Sequence, residues 1–550
     1  MLSNQTQPFD EVHNGIDDLS ENTSEKVDLS DLVTRFSSGS LQLSQLLREA
    51  SKVNYDPLTG PVVVLATVLG DHYDMGKSII ASVLKAKGCK VIDLGISIGP
   101  NQIVTTALIH NADVIGLSGL IVPSLDQMIL VVKELEKRGL KIPVLIGGAA
   151  TTRKNTATRI APHYSGPVIH VMDASRSLLV VSQLTTTKRS EFLQEVSQEY
   201  SDILQDHLED LESPMKCISL SEARLRKFQI NWKEWTPRVP AFLGSKKYAH
   251  IPLSYLVKNI HWDPFFQIMH LRGTYPNHSY PNILKDNNVG AESARVLEEV
   301  KRVLKEIIDA NLLEARAVVW FGKASAIDDD IHIYSGESDE EVGVFYGLRQ
   351  QHVKEDDHHF CISDFIAPLE TGVTDYVGGM VVSAGFGLLE LCERVKGDDY
   401  KILMYKAAAE CLTGALAECV HDQVKHVFWN KERKSDLVVG DLLDITVGTD
   451  LAKDGRANFG IRLAPCFPQQ PDHTEMETMW RLMDVEKLTG IQLTETLGMA
   501  PVMAINGILF SHPESQCFAV GDVMPDQVQD YATRRGVSVD IVEKWLSLNR

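Results

Sequence analysis

Cysteine is scarce in this chain. Eight cysteines are spread over 550 residues. None forms a Cys-x-x-Cys pair, and their spacing fits neither a disulfide framework nor a zinc knuckle, so no zinc is expected. Positive charge is also in the minority: 54 Lys and Arg stand against 74 Asp and Glu, a net charge of −20. That balance lacks the basic surface with which proteins neutralise nucleic-acid phosphates, and it disfavours an anionic lipid surface. No apolar run approaches the ~18 residues that a bilayer-spanning helix needs. The start, Met1-Leu2-Ser3-Asn4-Gln5, has neither a basic lead nor an apolar stretch and does not read as a secretory signal. The expectation is a soluble cytoplasmic protein with no nucleic-acid or membrane partner.

What is present is the composition of a globular protein, 44% hydrophobic and 23% charged. Four stretches can be separated. Residues 1–59 form a polar arm. Helical spacing at Leu29, Leu32, Val33 and Phe36, and again at Leu43, Leu46 and Leu47, allows two short helices on an otherwise disordered or loosely docked tail. Residues 60–187 alternate strand and helix signals, with strands expected at Val62–Ala66, Val91–Leu94, Val114–Leu117, Val144–Ile146 and Val168–Val171. Continuous apolar runs of this kind suit strands buried on both faces. Five strand–helix units predict an α/β domain, a flavodoxin-like doubly wound five-stranded parallel sheet. Residues 188–218 are acidic (Glu191, Glu195, Glu199, Asp206, Glu209, Asp210, Glu212) and read as a solvated linker helix. In residues 219–550, helical patterns (Val296–Ile308, Tyr405–Val420, Val528–Arg535) mix with strand-like runs (Ala317–Phe321, Ile331–Tyr334, Met380–Ser383) that do not alternate with them. An α+β domain is expected there.

Ligands of doubly wound sheets bind beyond the carboxyl ends of the strands. The loop Gly70-Asp71-His72-Tyr73-Asp74-Met75-Gly76-Lys77 follows the first strand and is a candidate site. Asp, His and Tyr side chains can coordinate a metal or relay protons. The competing reading is an ordinary polar loop in which Asp71 and Asp74 cap the next helix. Three more loops rich in small residues lie at the same edge: Ser118 to Ser124, Gly147-Gly148-Ala149 and Asp173-Ala174-Ser175. Together they can leave a slot between sheet and helices.

These motifs resemble the cobalamin-binding domain of cobalamin-dependent methionine synthase. That family carries Asp-x-His-x-x-Gly after the first strand, then Ser-Gly-Leu-Ile-x-Pro-Ser, then Ile-Gly-Gly-Ala. Here the first reads with Tyr73 at the histidine position, and the others read Ser118-Gly119-Leu120-Ile121-Val122-Pro123-Ser124 and Ile146-Gly147-Gly148-Ala149. Further on, Trp262-Asp263-Pro264-Phe265-Phe266, Tyr346-Gly347-Leu348-Arg349-Gln350-Gln351, Ser363-Asp364-Phe365-Ile366-Ala367-Pro368 and Ala519-Val520-Gly521 resemble that enzyme's S-adenosylmethionine-binding activation domain.

The resemblance implies a mechanism. Cobalamin (as methylcobalamin in the methyl-transfer cycle) threads its nucleotide tail into the slot. A loop histidine then ligates cobalt, backed by an Asp–Ser relay. Methyl passes from methyltetrahydrofolate to homocysteine through cobalt. A flavoprotein reductase and S-adenosylmethionine restore oxidised cobalt. Carried over by position, Asp71 and Ser124 are the relay. Gly76, Ser118, Val122, Gly148 and Ala174 belong to the cobalamin site. Asp364 and Arg462 meet the amine and carboxylate of S-adenosylmethionine, and Cys517 and Phe518 stand where the family has an aromatic pair.

The departures concern both sites. Tyr73 takes the place of the cobalt ligand, with His72 one position early. A phenol of pKa ~10 must deprotonate to ligate well, so histidine-type ligation is expected to be lost. Arg462-Leu463-Ala464-Pro465-Cys466-Phe467 replaces the family's Arg-x-x-x-Gly-Tyr, and Gly414 replaces a helical Glu. The homocysteine and folate barrels and the helical cap have no counterpart in this sequence, so complete methyl transfer is not expected from this chain alone. Three functions follow from these readings. The first is a methionine-synthase-like module working with separately encoded methyl-transfer domains. The second is a non-catalytic relative, a pseudoenzyme that binds or regulates. The third is a flavodoxin-like electron carrier, disfavoured because the first loop lacks a Ser/Thr-rich phosphate cradle.

Overall fold

In the computed structural model, residues 29–546 are described except 39, 52–59, 213–216, 250, 337, 355–357 and 430–459. The expected tail before residue 29, the end of the arm (52–59) and residues 213–216 of the linker therefore lie outside the described residues. Helices α1 (Leu29–Ser37) and α2 (Leu43–Ser51) lead into the first domain. It comprises β1 (Val62–Thr67), α3 (Met75–Ala86), β2 (Lys90–Asp93), α4 (Pro100–Ile109), β3 (Val114–Ser118), α5 (Ser124–Lys137), β4 (Val144–Gly147), α6 (Arg153–Asn155), β5 (Val168–His170) and α7 (Ala174–Leu184). All pairings are parallel, in the order β2-β1-β3-β4-β5. The fold is the doubly wound sheet expected. Val63, Val64, Val114, Ile115 and Val144 are fully buried, because helices cover both sheet faces.

The arm is not loosely docked. Leu43, Leu46 and Leu47 are at most 3% exposed, and α2 packs on α3 of the first domain and on a long helix of the second. The spacing defined an apolar face; what it could not show is that this face has two partners waiting. The acidic helix α8 (Arg189–Glu212) is likewise only half solvated. Phe192, Val196 and Tyr200 are buried, and the Tyr200 hydroxyl accepts the His170 N–H at 2.9 Å.

The second domain opens with α9 (Leu220–Leu225), β6 (Gly244–Tyr248), α10 (Leu253–Leu256), α11 (Asp263–Ile268) and α12 (Gly290–Asp309). Strands β7 (Glu314–Ile327), β8 (Asp330–Tyr334), β9 (Glu341–Tyr346) and β10 (Asp375–Phe386) follow, then α13 (Leu388–Arg394) and α14 (Asp399–Gln423). After β11 (Ile461–Leu463) come α15 (Glu475–Met483), α16 (Val485–Thr489), the short pair β12 (Gln492–Leu493) and β13 (Met499–Ala500), β14 (Ala504–Phe510), α17 (Pro525–Arg535) and α18 (Val539–Trp545). The main sheet runs β11-β14-β10-β7-β8-β9, with β6 pairing β7, all antiparallel. Helices α12 and α14 lie in one apolar cluster with α2, α3 and α7, so a continuous core joins the two domains. On the opposite sheet face Phe365, Trp480 and Phe510 form a second core.

Candidate functional site

At the carboxyl edge of the parallel sheet, a cavity of about 250 Å³ lies between the strands and helices α3 and α7. Of the residues expected in the cobalamin site, Gly76, Ser118, Gly148 and Ala174 line it. Small side chains at the strand ends leave it open. Gly148 is indispensable in another sense: at φ +112° its Cβ would sit 2.1 Å from the Gly119 carbonyl oxygen, so only glycine lets the β3 and β4 loops meet.

Behind the slot, Asp71 and Ser124 do form a hydrogen-bonded pair, both buried. The Ser124 hydroxyl donates to Asp71 Oδ2 at 2.7 Å, and the same oxygen accepts the Leu120 N–H at 2.6 Å and the Ile121 N–H at 3.3 Å. The other carboxylate oxygen accepts the backbone N–H of Tyr73 at 3.0 Å. Asp71 therefore clamps two loops of the sheet edge. The alternative reading of Asp71 and Asp74 as helix caps is not what is seen: Asp74 occupies the N-cap of α3 without a capping bond, and its carboxylate instead accepts Lys406 Nζ at 2.5 Å.

Tyr73 turns away from the role of a cobalt ligand. Its hydroxyl donates to Glu410 Oε2 on α14 at 3.2 Å. Burial, then the Glu410 carboxylate, push its pKa far above that of a free phenol, so it is held protonated. His72 is half-buried, and burial lowers its pKa against the pull of Asp71. Neither His72, Tyr73 nor Val122 lines the cavity. The loop serves as a docking edge for the second domain. Thr494 Oγ1 donates to the Gly70 carbonyl at 2.7 Å, and Lys85 Nζ to Asp399 Oδ2 at 2.8 Å. Two further slot residues are not assigned to the cobalamin site from the sequence, although Lys77 closes the candidate loop. Lys77, 2% exposed, is paired with Asp93. His270 comes from the second domain, far along the chain.

The candidate S-adenosylmethionine residues are not gathered at one point. Asp364 is buried, and its two oxygens accept Arg349 Nη1 and Nη2, each at 2.8 Å, with the Cys361 N–H at 2.9 Å. Its neighbour Phe365 packs on Phe510 and Phe518, with ring centroids 5.9 and 6.1 Å apart. Arg462 pairs in register with Leu509 on the other sheet face. There Nη2 donates to Glu418 at 3.0 Å and Nη1 to the Ala417 carbonyl at 3.3 Å. One turn earlier on α14, a Cβ at Gly414 would meet nothing within 4 Å, so the space of the family's glutamate stays open. Cys466 adopts φ +76°, a conformation that suits the glycine it replaces. Cys517 is exposed. Among the described residues no cluster of His, Cys, Asp and Glu could hold a metal ion, and no helix is long and apolar enough to cross a membrane.

A parallel-sheet domain with a slot at its carboxyl edge, joined to an α+β domain built on a long antiparallel sheet, defines the class: a doubly wound ligand-binding domain docked on a larger partner domain. Comparison with known proteins agrees. Residues 61–164 match the B12 binding domain model. Residues 252–536, more than half of the chain, match the activation domain of vitamin B12 dependent methionine synthase, and the chain belongs to that family. It is similar to a crystal structure of the MetH reactivation domain bound to AdoHcy, at 36% identity and a TM-score of 0.54, covering 61% of this chain and 99% of that one. It also matches a cobalamin-binding protein from Desulfitobacterium hafniense DCB-2, at 26% identity and a TM-score of 0.24, over 29% of this chain and 78% of that one.

Proposed function

We propose that this chain is a methionine-synthase-like module that binds cobalamin in the slot of its first domain and S-adenosylmethionine on its second. It would serve reductive reactivation in methionine biosynthesis alongside separately encoded methyl-transfer domains and a flavoprotein reductase. The observation that carries the reading is the open cavity at the sheet edge. Its apolar walls, including Leu65, Leu117 and Leu145, and its glycine and alanine rim suit the aromatic base and narrow chain of a corrinoid's nucleotide tail. A bound corrinoid would supply a cobalt centre able to carry a methyl group.

The chain's own residues do the rest. Asp71 and Ser124 fix the loop that faces the ring, by the hydrogen bonds described above. Gly148 lets the adjoining loops close. Tyr73 and Lys406 hold the second domain against that edge. Arg462, now bonded to Glu418 one turn after Gly414 on α14, would exchange that partner for the carboxylate of an amino-acid ligand. Asp364, committed to Arg349, supports that domain from the opposite sheet face.

A second reading is favoured by one specific observation. With Tyr73 bonded to Glu410, the loop that carries the position of the family's cobalt ligand is given over to docking. A non-catalytic relative that retains ligand binding would look the same. Absorbance titration with aquocobalamin tests the proposal. If the slot residues hold the tail, its base would be kept from cobalt, and a base-off spectrum without the signature of histidine ligation is expected. An unchanged spectrum at saturating protein would overturn it. Retained binding without any stimulation of a partner methyl-transfer module would select the second reading.

A further inference from the structure

One wall of the slot does not belong to the slot's own domain. His270, on the loop that leaves α11 of the second domain, lines the cavity together with Asp173 and Ser177 of the β5–α7 region. Among the described residues it is the single one that the second domain contributes to that lining. The imidazole is accessible to solvent, yet protein crowds it closely enough for burial to lower its pKa, with the nearby Asp173 pulling the other way. Burial thus favours the uncharged ring, which still carries one N–H to donate.

The backbone points the same way. His270 adopts φ +56°, the left-handed conformation, directly after Met269, the C-terminal cap of α11. Glycine or asparagine takes that place at low cost. Here a histidine takes that place, which sets residue 270 in the turn at the cavity wall.

The lining is divided in character. Leu65, Leu117, Leu145 and Val171 give apolar surface, whereas Lys77, Ser118, Asp173, Ser177 and His270 are polar, the Asp173 carboxylate being an acceptor for a ribose hydroxyl. An aromatic base is matched by the first set, and a sugar–phosphate by the second.

We propose that His270 is a ligand-contacting residue of the slot, donating a hydrogen bond to the ribose–phosphate of a corrinoid's nucleotide tail. The tail site is then completed by both domains, and a filled slot fastens the second domain to the first. This rests on the corrinoid reading above and adds to it which part of the ligand is recognised, and by which domain. By linkage, whatever loosens the docking of the domains weakens tail binding to the same extent.

The test compares cobalamin with cobinamide, which has the corrin ring but no nucleotide, on the full chain and on His270→Ala. The loss of one hydrogen bond to a polar ligand group predicts roughly tenfold weaker cobalamin binding in His270→Ala. Cobinamide binding should be unchanged, and His270→Asn, which keeps an N–H donor, should recover most of the loss. Equal affinity of wild type and His270→Ala for cobalamin overturns the inference, as does an equal loss for both corrinoids. If the wild-type chain binds neither compound, the corrinoid reading itself falls, and this inference with it. A thermal melt of His270→Ala matching wild type separates lost contact from lost fold.

Discussion

Replacing Leu46 with alanine tests whether the amino-terminal helices are structural members of the two-domain core. Leu46 is fully buried on α2, which packs against α3 and α14 at once. Its neighbour Ser44 donates a buried hydrogen bond to Glu292 of α12, and Arg295 closes the other side of that carboxylate. Truncation removes the transfer free energy of the side chain and leaves a cavity that rigid neighbours on three helices cannot fill. Losses of this kind run to about 2–5 kcal/mol. A cost near 3 kcal/mol speeds hydrogen exchange through opening of α2, and of the amides it covers on α3 and α14, on the order of 100-fold. The assay is native-state hydrogen exchange read by mass spectrometry. Leu208→Ala serves as the control: Leu208 is 59% exposed on α8, and its removal should change stability by no more than about 0.5 kcal/mol. If Leu46→Ala matched that control, or if protection were lost in α2 alone and kept in α3 and α14, the helices would be an appendage and the reasoning would be wrong.

Four other outcomes are expected. Asp71→Ala strands the donors of Leu120, Ile121 and Ser124, and denaturant unfolding should show a loss of roughly 2–3 kcal/mol together with weaker corrinoid binding; an unchanged midpoint contradicts the clamp. Ala149→Trp places a bulky ring on an exposed residue of the slot lining, so cobalamin affinity should fall at least about tenfold while the melting temperature and S-adenosylmethionine binding hold. Burial pushes Asp375 up to about 6, against the N–H groups of Tyr376 and Ala367 that favour the carboxylate. A carboxyl whose pKa is raised in the native state contributes its full stability below the unfolded value and loses it as pH climbs through the native one. Stability should therefore decline by roughly 3 kcal/mol between about pH 4 and pH 6 on this account, and melts of Asp375→Asn across that window should lack the decline. Gly414→Ala puts a methyl into open space on a helix, and should raise stability by about 0.5–1 kcal/mol in urea unfolding; a loss would mean that the space is not open.

Much of the fold could be read from the sequence because its signals are local. Val62 to Ala66 is an unbroken apolar run, and such a run bounded by glycine makes a strand buried on both faces. The antiparallel sheet was legible only in its centres. β7 spans Glu314–Ile327, whereas the apolar run marks Ala317 to Phe321, because Arg316, Lys323 and Ser325 interrupt the pattern while their backbones still pair. The site divides in the same way. Asp71, Ser118, Ser124 and Gly148 follow from short motifs at strand ends, and the structure places all four at the sheet edge. The partners of Tyr73 and Asp74 on α14 were not legible, and neither was His270 in the slot. Each depends on the docking of a second domain, which no local pattern encodes. Asp364 and Arg462 look alike as surface charges in a sequence, yet one is locked in a buried ion pair and the other pairs with an exposed glutamate on the far sheet face.

The central claim is that the cavity above the parallel sheet receives a corrinoid's tail. The direct measurement is an electron-density map of the full chain crystallised with aquocobalamin. The account predicts the nucleotide extended between β1, β3 and α7, with its base off cobalt and His270 beside the ribose–phosphate. Density showing the cavity filled only by water or side chains, with the corrinoid elsewhere or absent, would contradict it.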